Sequence, residues 1–195
     1  MLEKNYRNYR WFYTSSGKLV VGGKSKEQNE LVLRNFLNPK YIVVHTSETG
    51  SPFMIIQSEN SNQQDIKEAA IFCACFSKSW KSAKKNEKIN IHVFKGDQIY
   101  KTKDMKTGTF GVKGNIKSLK VKPELALVFQ KNRLRAVPKT NKIKKEEILA
   151  EIKTGKLSKE EASEKILRII KNKFNFQISK EEIMQVIPSD KLNVK

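Results

Sequence analysis

The feature that most constrains this chain is an apolar triplet that runs through two glycines into a capped helix. Leu19-Val20-Val21 has the length and composition of a buried strand. Gly22-Gly23 then opens backbone conformations closed to residues with a Cβ. Ser25 stands as a helix N-cap with Gln28 three residues on, the Ser-x-x-Gln form of the capping box. Leu31, Val32 and Phe36 fall on one apolar face of the helix so predicted, and Asn38-Pro39 stops it. A strand, a glycine bend and a helix N-terminus in succession present free N–H groups and a positive dipole end, which favours anions, phosphate included. Two readings stay open: a tight strand-to-helix turn whose glycines serve geometry alone, or a phosphate contact assisted by Lys24. The segment is neither a P-loop nor a G-x-G-x-x-G fingerprint, because both spacings are missing.

Charge bears on that choice. The 195 residues carry 39 Lys and Arg against 20 Asp and Glu, a formal net charge of +19. Such an excess points to a polyanionic partner, nucleic acid before an anionic membrane, unless lysine richness only reflects codon usage. Between Lys101 and Lys145 there are 14 Lys/Arg opposed only by Asp104 and Glu124, so most of the excess sits in under a quarter of the chain. No window approaches the roughly 18 consecutive apolar residues of a membrane span. Met1 to Asn5 lacks the apolar core of a signal peptide, so a soluble cytoplasmic protein is expected. Cys73 and Cys75 have no Cys or His partners at zinc spacing; free thiols are expected, and no metal or cofactor is implied.

The fold class reads as α+β: a mixed, largely antiparallel sheet with a short and a long helix packed on it, plus a small C-terminal helical appendage. Arg10 to Ser15 is a strand that pairs as a hairpin with Leu19-Val20-Val21 through Ser16-Gly17-Lys18. Tyr9, Trp11 and Tyr13 share one of its faces, with Arg10 and Phe12 on the other; an aromatic face interleaved with arginine either stacks bases or is core. Tyr41 to His45 and Phe53 to Ile56 follow as strands. A helix from Asn62 to about Lys85 is marked by Ile66, Ala69, Ala70, Cys73, Ser77 and Trp80 at helical spacing. Lys78, Lys81, Lys84 and Lys85 then suit its negative dipole end. Further strands are expected over Ile89 to Phe94, Gln98 to Tyr100, Thr109 to Val112, Glu124 to Phe129 and Leu134 to Val137. Helices are expected over Glu146 to Lys153, Ser158 to Lys173 and Ser179 to Ile187, the last two opened by capping boxes and the last closed by Pro188. The expected division is 1–138 as the α+β domain and 139–195 as a helical extension packed on it.

Several ordered motifs closely resemble the RNA-binding domain of the NFACT family. They are Arg10-Trp11-Phe12 with Ser15-Ser16, Leu19 to Gly23, Gln28-Asn29-Glu30, Ile42 to His45, and Thr107-Gly108-Thr109-Phe110-Gly111-Val112-Lys113-Gly114; Val186-Ile187-Pro188 is similar to the close of archaeal members. The resemblance covers most of residues 6 to 138. It implies a module that binds structured RNA, tRNA or rRNA, with the large ribosomal subunit as a partner in the quality control of stalled translation. On this reading Arg10, Lys24 and the Gly22-Gly23 turn contact the RNA backbone, with Trp11 beside them. Asn29 and His45 line the same surface, and Lys113, Lys117 and Lys120 extend it. The chain departs from the family at Lys24 and Ser25, where Arg and Asp are usual, and in His45-Thr46-Ser47-Glu48-Thr49-Gly50-Ser51, which lacks the family's loop aspartate and second histidine. Lysine in place of arginine exchanges a bidentate fork for a point charge that still serves a phosphate. The alternative is an enzyme that modifies or processes RNA, with His45 as general base and Glu30 or Glu48 assisting. A third reading is a protein-interaction scaffold whose charge is incidental.

Overall fold

Apolar alternation along short strands and one helix buried along most of its length set the architecture. The computed structural model describes residues 5–84, 87–140, 142–174 and 177–195, so the first four residues and Lys85 lie outside it. In chain order the elements are β1 (Arg10–Tyr13), β2 (Leu19–Gly22), α1 (Lys26–Phe36), β3 (Ile42–Thr46), β4 (Met54–Ile56), α2 (Gln63–Cys75), α3 (Lys78–Ser82) and β5 (Ile89–Lys95). They continue as β6 (Ile99–Tyr100), β7 (Gly111–Val112), β8 (Lys117–Val121), β9 (Glu124–Gln130), β10 (Arg133–Pro138), β11 (Ala150–Leu157), α4 (Lys159–Lys173), α5 (Lys180–Val186) and β12 (Leu192–Val194). The fold is α+β with antiparallel pairing throughout the described strands: a six-stranded sheet ordered β1-β2-β4-β3-β5-β8, a four-stranded sheet ordered β10-β9-β11-β12, and the short pair β6-β7.

The pleat divides the larger sheet between two helices. Phe12, Val20, Val44, Met54, Ile56 and Ile91 join α2 in one core, while Val21, Val43, Ile55 and Phe94 meet Val32, Leu33 and Phe36 of α1 in the other. Helix α2 touches β3, β4, β5 and β8 of the first sheet and β9 and β10 of the second. Enclosed in this way, it is buried without interruption from Glu68 to Cys75, and its small residues allow the close approach. Burial pushes the Cys73 thiol up to about 12 and raises that of Cys75 as well, so these two free cysteines pack as small apolar side chains.

Two acidic residues of α2 stay buried because the β1–β2 turn supplies their hydrogen bonds. Asp65 accepts from Thr14 Oγ1 at 2.6 Å, Ser16 Oγ at 2.5 Å and the Asn62 N–H at 2.9 Å. Glu68 accepts from the Ser15 N–H at 2.7 Å and Ser15 Oγ at 2.6 Å. The hairpin is thereby clamped to the helix, which orients β1 and the guanidinium of Arg10 at its start.

Three expectations are corrected and one strand was not anticipated. The single helix from Asn62 to Lys85 is two helices: the Lys78 N–H donates to Gly50 O at 2.9 Å, ending α2 at Phe76 and re-aiming Trp80. Residues 146–153 form a short 3-10 turn and the start of β11, which pairs with β9. Ile148, Leu149 and Ile152 fit a helix, but Ile148, Ala150 and Ile152 fit a strand equally well, and pairing decides between them. The last element is β12, beyond Pro188, so 139–195 is not purely helical. Strand β8, too polar to read as a strand, pairs with β5 at the sheet edge.

Candidate nucleic-acid interface

Gly22 and Gly23 are needed for close approach, not for turn conformation: neither has positive φ. A Cβ on Gly22 would strike Met54, and one on Gly23 would lie 2.7 Å from the Asn29 backbone nitrogen. Strand β2 therefore runs directly against the first turn of α1. Ser25 caps that turn by accepting from the Gln28 N–H at 3.3 Å, and Gln28 Oε1 reaches back to the Lys24 N–H at 3.0 Å. The cap pattern read from sequence forms as expected, with Gln28 reaching one residue further back than the box requires.

Beside this helix start lies a cavity of about 370 Å³. Arg10, Gly23, Lys24, Ser25, Asn29 and His45 line it, with Phe53, Phe76 and the 107–110 segment completing the wall. Residues far apart in sequence meet there for identifiable reasons. Gly108, at φ +78°, lets its loop rest against Lys26 and donates its N–H to Glu30 Oε1 at 2.8 Å. Glu30 also pairs with Lys101, whose ammonium lies 4.5 Å from the Phe110 ring centre, so the loop is fastened to α1 from both ends.

The electrostatics are lopsided. The Arg10 guanidinium lies 4.3 Å from the Phe76 ring centre, its buried Nε has no hydrogen-bond partner, and among the described residues it has no carboxylate within ion-pair distance. Burial pulls Arg10 down to about 10. Arg135 of β10 stacks on Trp11 at 4.3 Å and donates to Trp11 O at 2.8 and 3.2 Å; burial, then Arg10 and Arg133, bring it to about 10 as well. Partial desolvation of its ammonium, then Arg10 and Arg135, lower Lys24, although that residue remains exposed. All three stay charged at neutral pH, repel one another, and would gain from a shared anion. Asn29 Oδ1 is a second buried polar atom at this wall without a partner.

The structure brings together Arg10, Gly23, Lys24, Asn29 and His45, but not the other expected residues. Trp11 is 1% exposed, packed edge-on against Tyr6 and Tyr13, so it is core and offers no face to a base. Gly22 faces Met54. Lys120 shares the sheet face of His45 across the β3–β5–β8 register, Lys117 points to the opposite face, and Lys113 lies outside the cavity wall. His45 Nδ1 donates to Thr46 O at 2.7 Å, and burial lowers its pKa, leaving a neutral imidazole. Its suggested helpers are engaged elsewhere, Glu30 with Lys101 and Glu48 near Ser79. Sequence reasoning missed Arg135, Phe76 and the role of the 107–110 loop; only the run of glycines at 108, 111 and 114 hinted that this loop packs closely.

A sequence model of the NFACT protein RNA binding domain matches residues 8–114, a segment that contains every residue lining the cavity. Over 116 residues the chain is 28% identical to the ribosome quality control complex subunit NEMF homolog of Drosophila melanogaster, covering 56% of this chain and 11% of that protein. Over 117 residues it is 28% identical to the archaeal Rqc2 homolog aRqcH of Methanocaldococcus jannaschii, covering 57% of this chain and 17% of that one. The chain therefore spans less than a fifth of the length of these curated relatives. The C-terminal part of the fibronectin/fibrinogen-binding protein from Streptococcus suis superposes with a TM-score of 0.53 at 19% identity, covering 59% of this chain and 45% of that one, a likeness of fold alone.

Proposed function

The chain belongs to the NFACT RNA-binding domain family through residues 8–114, and on that premise we propose that the Arg10–Lys24 cavity seats the phosphate backbone of structured RNA, tRNA or rRNA. The observation that carries this reading is the convergence of Arg10, Lys24 and Arg135 beside a helix N-terminus, with no carboxylate among the described residues within ion-pair distance of any of them. A phosphate there would take the free Arg10 Nε–H, the Lys24 ammonium and the dipole end of α1 together. Recognition would rest on shape and backbone, as is usual for structured RNA. The name of one relative, a ribosome quality control complex subunit, supports a place at the ribosome; we propose that this place is on the large subunit, in the cytoplasm, in the quality control of stalled translation. Among the described residues no helix is long and apolar enough to cross a membrane.

The test is anisotropy titration of labelled tRNA and of a ribosomal RNA fragment at several salt concentrations. Lys24→Ala is expected to weaken binding about 3- to 10-fold and to reduce the salt slope by about 1. Arg10→Gln should cost at least as much. If neither RNA binds at low ionic strength, or if both variants bind like the parent, the cavity is not the RNA site.

A further inference from the structure

A second concave surface lies on the far part of the chain and shares no residue with the cavity described above. It is a groove of about 670 Å³ built from four separate segments. Lys81 and Lys84 come from α3 and the residues after it, Lys153 and Lys156 from β11, Lys165 from α4, and Lys191 from the turn into β12. Among the described residues no Asp or Glu lines it. Lys81 pairs with Asp190 at 3.4 Å; among the described residues the other five have no carboxylate within ion-pair distance.

The backbone is shaped to make these lysines converge. Strand β11 bulges between Thr154 and Leu157, both of which register with Leu192, so Gly155 and Lys156 are looped out. Gly155 donates its N–H to Lys191 O at 2.7 Å, and a Cβ there would sit 2.5 Å from Leu192 O. Asp190 and Lys191 hold φ of 34° and 56°, a left-handed conformation uncommon for residues other than glycine. Trp80 Nε1 keeps them there by donating to Asp190 O at 2.9 Å, and the Lys159 N–H donates to Asp190 Oδ1 at 3.3 Å. The same Trp80 contact brings α3, with Lys81, to the groove. Like charges gathered on a concave wall focus a positive field on whatever enters.

We propose that this groove is a second RNA contact, one that grips a phosphodiester backbone without reading bases. The chemistry selects that occupant. Among the described residues no aromatic side chain lines the groove to stack on a base. Lysines supply point charges rather than the forks that single out one terminal phosphate. The exposed large apolar residues, Leu31, Tyr100 and Phe129, lie elsewhere, leaving the groove without an anchor for a bilayer. A polyanion held at both the groove and the cavity engages the chain in two places, and avidity follows from their covalent linkage.

The experiment titrates a labelled RNA duplex of roughly 20 base pairs with the 195-residue chain between about 50 and 200 mM salt. The parent chain is compared with K153E/K156E/K191E, with the neutral set K153Q/K156Q/K191Q, and with Lys24→Ala. The expected result is a loss of about tenfold or more for the glutamate set, a smaller loss for the glutamine set, and a salt slope lower by about 2 to 3 in both. The glutamine set, with an unchanged melting temperature, guards against misfolding. Affinity and slope equal to the parent in both sets would overturn the proposal. So would unchanged RNA binding accompanied by lost binding to phosphatidylserine-containing vesicles, which assigns the groove to lipid. Weakening by the groove variants with no effect of Lys24→Ala would sink the cavity reading and leave the groove standing.

Discussion

At the scale of single residues, the protein places charge where it costs most and compensates it in two different ways. Asp65 is buried, which opposes its ionisation, but hydrogen bonds from Ser16, Thr14 and the Asn62 N–H more than offset this and hold its carboxyl below the ordinary range. A carboxyl depressed in the folded state adds stability that is present above its unfolded pKa and lost as pH falls through the folded value. Asp65→Asn is therefore expected to lower stability at neutral pH by about 1–3 kcal/mol. In thermal melts the gap between parent and variant should narrow as pH drops below about 4, the ordinary aspartate range; a constant gap would refute this role. Arg10 is treated differently, with the Phe76 ring beneath its guanidinium and, among the described residues, no carboxylate within ion-pair distance. Arg10, Ser15 and Ser16 lie in the motifs singled out in the sequence. What those motifs do not say is that Ser15 and Ser16 serve the α2 carboxylates rather than a ligand.

At the scale of elements, strand pairing corrects what periodicity suggested. The capped helices α1, α4 and α5 were legible because their N-cap and N3 residues are neighbours in sequence, and all three caps form. Strand β11 was not legible, because its identity depends on hydrogen bonds to β9, a partner more than 20 residues away. We propose that residues 1–138 form a unit on which 139–195 packs, and truncation tests how independent that unit is. A 1–138 fragment leaves one edge of β9 unpaired and uncovers Leu125 and Leu127, both fully buried in the whole chain. The expected outcome is a fragment that aggregates or shows a lower melting temperature than the full chain in calorimetry. A monomeric fragment with an unchanged midpoint would mean that the C-terminal segment contributes nothing to its stability.

At the scale of the whole molecule, α2 is the common wall of both sheets, so neither can lose it and stay closed. Unfolding of the full chain is therefore expected to be one cooperative transition, with circular dichroism and tryptophan fluorescence changing together, since Trp11 and Trp80 are both buried. Two separated transitions would contradict this shared core. The charge excess, legible as a number, takes on direction only here. The lysine-rich stretch from 101 to 145 fastens a loop through Lys101 and places Arg135 behind the cavity, while six lysines from outside that stretch line the groove formed by β11, α3, α4 and the turn at 191. By itself the sequence determined the α+β class, the family resemblance, the caps and five of the residues at the cavity, because each is encoded in neighbouring positions or in ordered motifs. Only the tertiary structure decided that Trp11 is core, that Arg135 joins Arg10 and Lys24, and that six scattered lysines share one groove. Those facts depend on register, a bulge and helix placement, which are set by contacts between segments that no local window contains.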